Sequence, residues 1–161
     1  NSITESGAAF AALKDSGEVV TWGIADYGGD CSAVAHRLVA DISSITGSAH
    51  AFAALKDTGE VVTWGHADFG ADCSAVAERL AAGVSSITGS WGAFAALKDT
   101  GEVVAWGDAV YGGDCSSVAA HLACGVSAIT GSGGAFAALK YAGEVVTWGR
   151  KLGCLRGLEG C

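Results

Sequence analysis

Cys31, Cys73 and Cys115 recur at intervals of 42 residues, and thiols repeated at a fixed spacing are candidate metal ligands or redox centres. Cysteines that hold a metal come in short pairs such as CxxC, and no such pair occurs in this chain. Each of the three also shares helical spacing with a Val and a Leu, as Cys31 does with Val34 and Leu38. A thiol on such a face behaves as a small hydrophobe. A buried structural role is therefore the stronger reading, and a metal-binding or thiol-redox protein using the repeated Cys and Asp positions is the alternative.

The repeated carboxylates Asp26 and Asp30, with Asp68 and Asp72, flank glycines, where clustered oxygens could take Ca²⁺. The third copy carries Val110 in place of the first Asp, and no bidentate Glu follows at a fixed spacing. Turn and helix-cap duty accounts for them without a metal. His36, His50, His66 and His121 occupy unrelated positions in the repeat, so they read as variation on a surface rather than a shared centre. No Ser, His and Asp grouping and no phosphate-cradling Gly loop stands out. No catalytic, metal or cofactor-binding residue is assigned, and the chain is read as a non-enzyme.

The remaining candidates are apolar. Tyr27, Phe69 and Tyr111 place an aromatic at one loop position in three copies, outside any strand pattern, and loop aromatics often anchor interfaces. A structural role for each would be to cover the Trp of its own unit. The copies differ most at Ala49-His50, Trp91-Gly92 and Gly133-Gly134, so His50 and Trp91 join the candidate interaction residues.

What must position these residues is a repeat without insertions or deletions. Phe10, Phe52, Phe94 and Phe136 keep the 42-residue interval, and so do Trp22, Trp64, Trp106 and Trp148. Units of this kind cannot bury their apolar faces alone and must stack. Within one unit, Phe10 to Gly23 contains two β-prone runs around Asp15-Ser16-Gly17, a hairpin turn with Gly where a left-handed backbone is needed. With Gly17 as a bulge, Lys14 faces Glu18, Leu13 faces Val19, Ala12 faces Val20 and Phe10 faces Trp22. Alternation then puts Phe10, Ala12, Val20 and Trp22 on one face and Ala11, Leu13, Val19 and Thr21 on the other. Both faces are mostly apolar, so both should be covered.

A third strand is expected at Ile42 to Ser48 and its equivalents at Val84 and Val126. After each Trp-Gly a turn-rich stretch leads into a short helix such as Cys31 to Ala40, capped by Asp30. The same reading puts Cys115 and Cys124 on opposite faces of one helix. The expected architecture is a mainly β repeat protein of four three-stranded units with short helices between them. The units run over about 1–41, 42–83, 84–125 and 126–149, followed by a Gly- and Cys-rich tail at 150–161. In the tail, Cys154 could pair with Cys161, or either with Cys124, and free thiols are equally compatible. Edge strands at Ser2-Ile3-Thr4 and Val145-Val146-Thr147 could pair with further units.

The string Ala54-Leu-Lys-Asp-Thr-Gly-Glu-Val-Val-Thr-Trp-Gly65 resembles the RCC1-like repeat, with its Ala-Leu, acidic-Gly turn, Val and Trp-Gly signature. Ala25-Asp-Tyr-Gly-Gly-Asp30 with Ser32-Ala-Val34 looks like a short subtype found in tandem arrays of algal proteins. The resemblance covers most of the chain and implies a protein-binding platform. RCC1-like domains are propellers of seven blades with about four strands each. Here the unit is shorter, a helix replaces the fourth strand and there are four copies, so a four-unit β-propeller-like ring, an open arc and a stacked solenoid all stay open. The nucleotide-exchange activity of the founding member is not carried over, because nothing matches an exchange site.

Composition narrows the partners. Seventeen acidic against nine basic residues give a net charge of −8, which disfavours nucleic acid and anionic membrane surfaces. No run approaches the roughly 18 apolar residues of a membrane helix, so no direct membrane insertion is expected. With 16% charged residues, the chain suits a structural or peripheral subunit that buries surface against protein partners in a larger complex. Asn1 in place of Met suggests a processed product or a fragment, and with the algal character of the repeat it raises a plastid or thylakoid location, such as a photosynthetic complex.

Overall fold

The computed structural model describes residues 1–150. Four three-stranded antiparallel sheets follow one another along the chain. The first holds β1 (Ser2–Glu5), β2 (Ala9–Leu13) and β3 (Val19–Gly23), and the second β4 (Ile42–Gly47), β5 (Ala51–Lys56) and β6 (Val61–Gly65). The third holds β7 (Val84–Gly89), β8 (Ala93–Lys98) and β9 (Val103–Gly107), and the fourth β10 (Val126–Gly131), β11 (Ala135–Lys140) and β12 (Val145–Gly149). In every sheet the strands pair in chain order. The hairpin register is the one expected from the bulge: Leu13 faces Val19, Ala12 faces Val20 and Phe10 faces Trp22. Gly17 sits at φ 77°, and Lys14 and Glu18 meet at 2.8 Å across the tip.

The sheets stack face against face. Between the first two, Ala9, Ala11, Val19 and Leu38 pack on Phe52, Ala54, Val62 and Trp64, and the same junction recurs twice more along the chain. Rows of Ala on one side leave room for Phe and Trp on the other, which lets a core so rich in Ala bury large aromatic rings. Phe52 and Phe94 are fully buried, each worth about 1.5–3 kcal/mol of burial. The arc is open: Phe10 and Trp22 of the first sheet are 39% and 44% exposed, and Leu139 and Val145 of the fourth 45% and 61%. Ser2 to Thr4 and Val145 to Thr147 lie in the edge strands β1 and β12 of the first and fourth sheets. Units adjoin through sheet surfaces, and all four sheets carry the same two edges.

The first strands of successive units run beside one another. Thr4 Oγ1 donates to Ile45 O at 3.2 Å and Thr46 Oγ1 to Ile87 O at 3.2 Å. Gly89 is required here, because a Cβ would lie 2.5 Å from Gly47 O, and Gly47 and Gly131 are as crowded by Glu5 O and Gly89 O. Loop backbones continue the link: Ala49 N donates to Trp91 O at 2.8 Å and Trp91 N to Gly133 O at 3.2 Å.

The connectors are shorter and tighter than expected. The expected short helices are 3₁₀ turns at Ser32–Arg37 and Ser74–Leu80, and the third connector has Ser116–Val118 followed by one α-turn, α1 (Ala119–Leu122). Cys115 precedes this segment and Cys124 follows it, so they do not share one helix. A further 3₁₀ turn, Ala25–Tyr27, opens each connector, with equivalents at Ala67–Phe69 and Ala109–Tyr111. Leu38, Leu80 and Leu122 point from the connectors into the junctions and are buried. Connector side chains pair with the following unit: Arg37 with Glu60 at 2.5 Å, Arg79 with Glu102 at 2.6 Å and His121 with Glu144 at 3.2 Å.

Candidate interaction surface

The loop aromatics are held by a repeated tether. Ser6 Oγ donates to Tyr27 O at 2.8 Å, Ser48 Oγ to Phe69 O at 3.0 Å and Ser90 Oγ to Tyr111 O at 2.8 Å. Each aromatic ends a 3₁₀ turn closed by a left-handed glycine, Gly28, Gly70 or Gly112. That glycine sits over the Phe ring of the next unit, and its carbonyl accepts from the next Trp: Trp64 Nε1 to Gly28 O is 3.1 Å, Trp106 to Gly70 3.0 Å and Trp148 to Gly112 3.0 Å.

This geometry brings all five candidate residues into one stack. Tyr27 lies 4.0 Å from His50 between ring centroids, His50 4.4 Å from Phe69, Phe69 5.4 Å from Trp91 and Trp91 4.9 Å from Tyr111. The rings come from three units. Tyr27 packs with the cluster holding Phe52 and Trp64, so it covers the aromatic pair of the following unit and not the Trp of its own. Tyr27, His50, Phe69 and Tyr111 are half-buried, whereas Trp91 is 46% exposed at the crest. Aromatic pairs at these distances are worth about 0.5–1.5 kcal/mol each, which gives the ridge a fixed shape before any partner arrives.

His50 and His66 each keep a buried Nδ1 without a hydrogen-bond partner. Burial, with the neighbouring His66, holds the His50 imidazole below its ordinary pKa, which favours the neutral ring within the stack. His66 also stands edge-on to Phe69 at 5.3 Å. Its contribution was not legible in the repeat, because Ile24 and Asp108 stand at the equivalent positions.

The cysteine positions are kept apart. Cys31, Cys73 and Cys115 each pack at a different junction, are half-buried and carry free thiols. Desolvation pushes the Cys115 thiol upward, away from the thiolate that nucleophilic or redox chemistry needs. Cys124 is free and exposed, while Cys154 and Cys161 lie outside the described residues. Among the described residues no three His, Cys, Asp or Glu side chains converge as a metal group would. Asp30, Asp72 and Asp114 instead accept from the backbone N–H of Ser32, Ser74 and Ser116 at 2.8–2.9 Å. Those bonds lower all three carboxyl pKa values.

No protein-family model matches the sequence and no curated protein matches it significantly. Solved structures do. Prp20p from Saccharomyces cerevisiae, studied for its binding to Gsp1p and histones and also described as yeast RCC1, superposes with a TM-score of 0.65 at 17% identity, over 92% of this chain and 44% of that one. The receptor kinase CR4 ectodomain of Physcomitrella patens gives 0.60 at 16% identity over 96% and 42%, and human WBSCR16 gives 0.61 at 19% over 89% and 45%. The chain thus spans less than half the length of these structures. The likeness establishes an RCC1-like fold of propeller blades in an open arc.

Proposed function

We propose that this chain is a non-catalytic RCC1-like module that binds protein partners, with the ridge of Tyr27, His50, Phe69, Trp91 and Tyr111 as its contact surface. The observation that carries this reading is the continuous stack of those five rings across three units, with Trp91 at its crest. Rigid, amphipathic aromatics lose little conformational entropy on binding and dominate interface energetics. The protein-binding properties of Prp20p, an RCC1-fold protein, support the same class of role. A net charge of −8 favours a protein surface over a phosphate backbone as the target.

The finer reading is a structural or peripheral subunit of a larger assembly, supported by the low share of charged residues and the apolar open faces of the arc. A plastid setting rests on the resemblance of the repeat to algal arrays. Purification from the native source, with mass measured by light scattering, tests membership of an assembly. Direct binding of each co-purifying protein to wild type and to Trp91→Ala then tests the ridge. Loss of one specific partner by a variant that keeps its native circular dichroism is expected, and equal binding by the variant overturns the assignment.

A further inference from the structure

Every internal junction of this arc is made from the same two unlike faces. One presents Ala rows with Leu and Val, as at Ala9, Ala11 and Val19; the other presents Phe and Trp, as at Phe52 and Trp64. Each end of the arc exposes one of them. The first unit shows its aromatic face, with Phe10 and Trp22 exposed, and the fourth shows its aliphatic face, with Leu139 and Val145 exposed. The other three Trp indoles in the repeat donate to a glycine carbonyl of the preceding unit, and among the described residues Trp22 has no such acceptor. Among the described residues Glu18 pairs with Lys14 of its own hairpin, whereas Glu60, Glu102 and Glu144 each take a side chain of the preceding connector, Arg37, Arg79 and His121.

We propose that a second copy of this chain docks head to tail, the aliphatic face of its fourth unit on the aromatic face of the first unit. The internal junctions argue for this occupant, because they show three times over what this aromatic face packs against. Pairing two aromatic faces would set bulk against bulk, and two aliphatic faces would set small rows against small rows. The contact is therefore heterologous, and it either closes into a ring or propagates.

The junction between copies is looser than those within the chain. Glu5 occupies the position at which Gly47, Gly89 and Gly131 let the first strand of the preceding unit approach to backbone contact. Its side chain forces the inner strands of the two copies apart, leaving the outer two strands of each sheet to carry the contact. The association is accordingly reversible and set by concentration, and Glu5→Gly tightens it.

Sedimentation velocity on the 161-residue chain, from micromolar to millimolar, tests this. Masses rising in steps of 15.9 kDa are expected, with Glu5→Gly associating at about tenfold lower concentration. Trp22→Glu and Leu139→Glu should each be monomeric alone and form a one-to-one dimer, and nothing larger, when mixed, since only one intact face of each kind remains. Phe10→Lys and Val145→Glu repeat the cross should either first variant lose its native circular dichroism. Trp91→Ala, which touches neither face, should associate as wild type does. A wild type and a Glu5→Gly variant that both stay monomeric overturn the proposal, as does self-association that survives in both face variants or a mixture that stays monomeric.

Discussion

Trp64 Nε1 donates to the carbonyl of Gly28 at 3.1 Å, joining residues that stand 36 apart in the chain and in neighbouring units. The same bond recurs at Trp106 and Trp148. It locks a left-handed turn over the next Phe ring and sets where the loop aromatic beside that turn must point. Core and ridge are thus built by one device.

Replacing Gly70 by Ala should disrupt that device from the turn side. The residue has φ 104°, and a Cβ would lie 2.6 Å from the Phe94 ring. Left-handed strain and overpacking together should cost about 3 kcal/mol. Urea unfolding monitored by circular dichroism reads this as a lower midpoint, and a change below about 1 kcal/mol would contradict the packing described.

Trp106→Phe tests the hydrogen bond from the other side. The ring stack on Phe94, at 5.5 Å, is kept in kind while Gly70 O loses its donor, which should cost about 1–3 kcal/mol. Trp22→Phe should change stability by less than about 0.5 kcal/mol, because Trp22 makes no such bond among the described residues. The contrast between the two midpoints is the measurement.

Asp41 has φ 62° at the position that Gly83 and Gly125 fill in the later units, both also left-handed. Asp41→Gly should therefore stabilise the chain by about 0.5–1 kcal/mol. Its carbonyl accepts from Asp57 N at 2.9 Å in the conformation glycine would keep. Thermal or urea unfolding checks the sign, which is opposite to that of most Gly substitutions.

His50 predicts a pH dependence. Its folded pKa is depressed, chiefly by burial, so the unfolded chain binds the proton more readily and stability rises with pH across the window. As pH falls through the ordinary histidine value of about 6.5, a penalty grows, reaching its full size below the folded pKa. His50→Ala, which introduces the residue found at Ala8, should remove that share of the slope. Unfolding midpoints of both proteins across this range decide it, and parallel curves would refute it.

Thiol reactivity should follow burial. Cys124 should be alkylated first in the native state, and Cys115, half-buried with its pKa raised by desolvation, should lag until denaturant is added. Peptide mass mapping against time distinguishes this from the equal and rapid labelling of Cys31, Cys73 and Cys115 that redox chemistry at the repeated positions would require.

Much of this fold was legible because the determinants are local and repeated. The Lys14 to Glu18 turn, the Phe10 to Trp22 register and the division of faces follow from strand alternation and one bulge glycine, and four copies at a constant interval leave little freedom in the order of units. The short connector helices were legible from the spacing of Cys31, Val34 and Leu38, while their 3₁₀ form was not, because so short a segment tied to the sheets at both ends adopts the tighter turn. Tyr27, Phe69, Tyr111, His50 and Trp91 could be singled out by type and variability. Tertiary structure alone decided that they touch, since the stack depends on loops from different units meeting through Trp to Gly hydrogen bonds. The same holds for the open arc: periodicity reports what each unit presents to its neighbour, whereas the exposure of Phe10 and Trp22 at one end and Leu139 and Val145 at the other depends on where the stacked sheets lie in space.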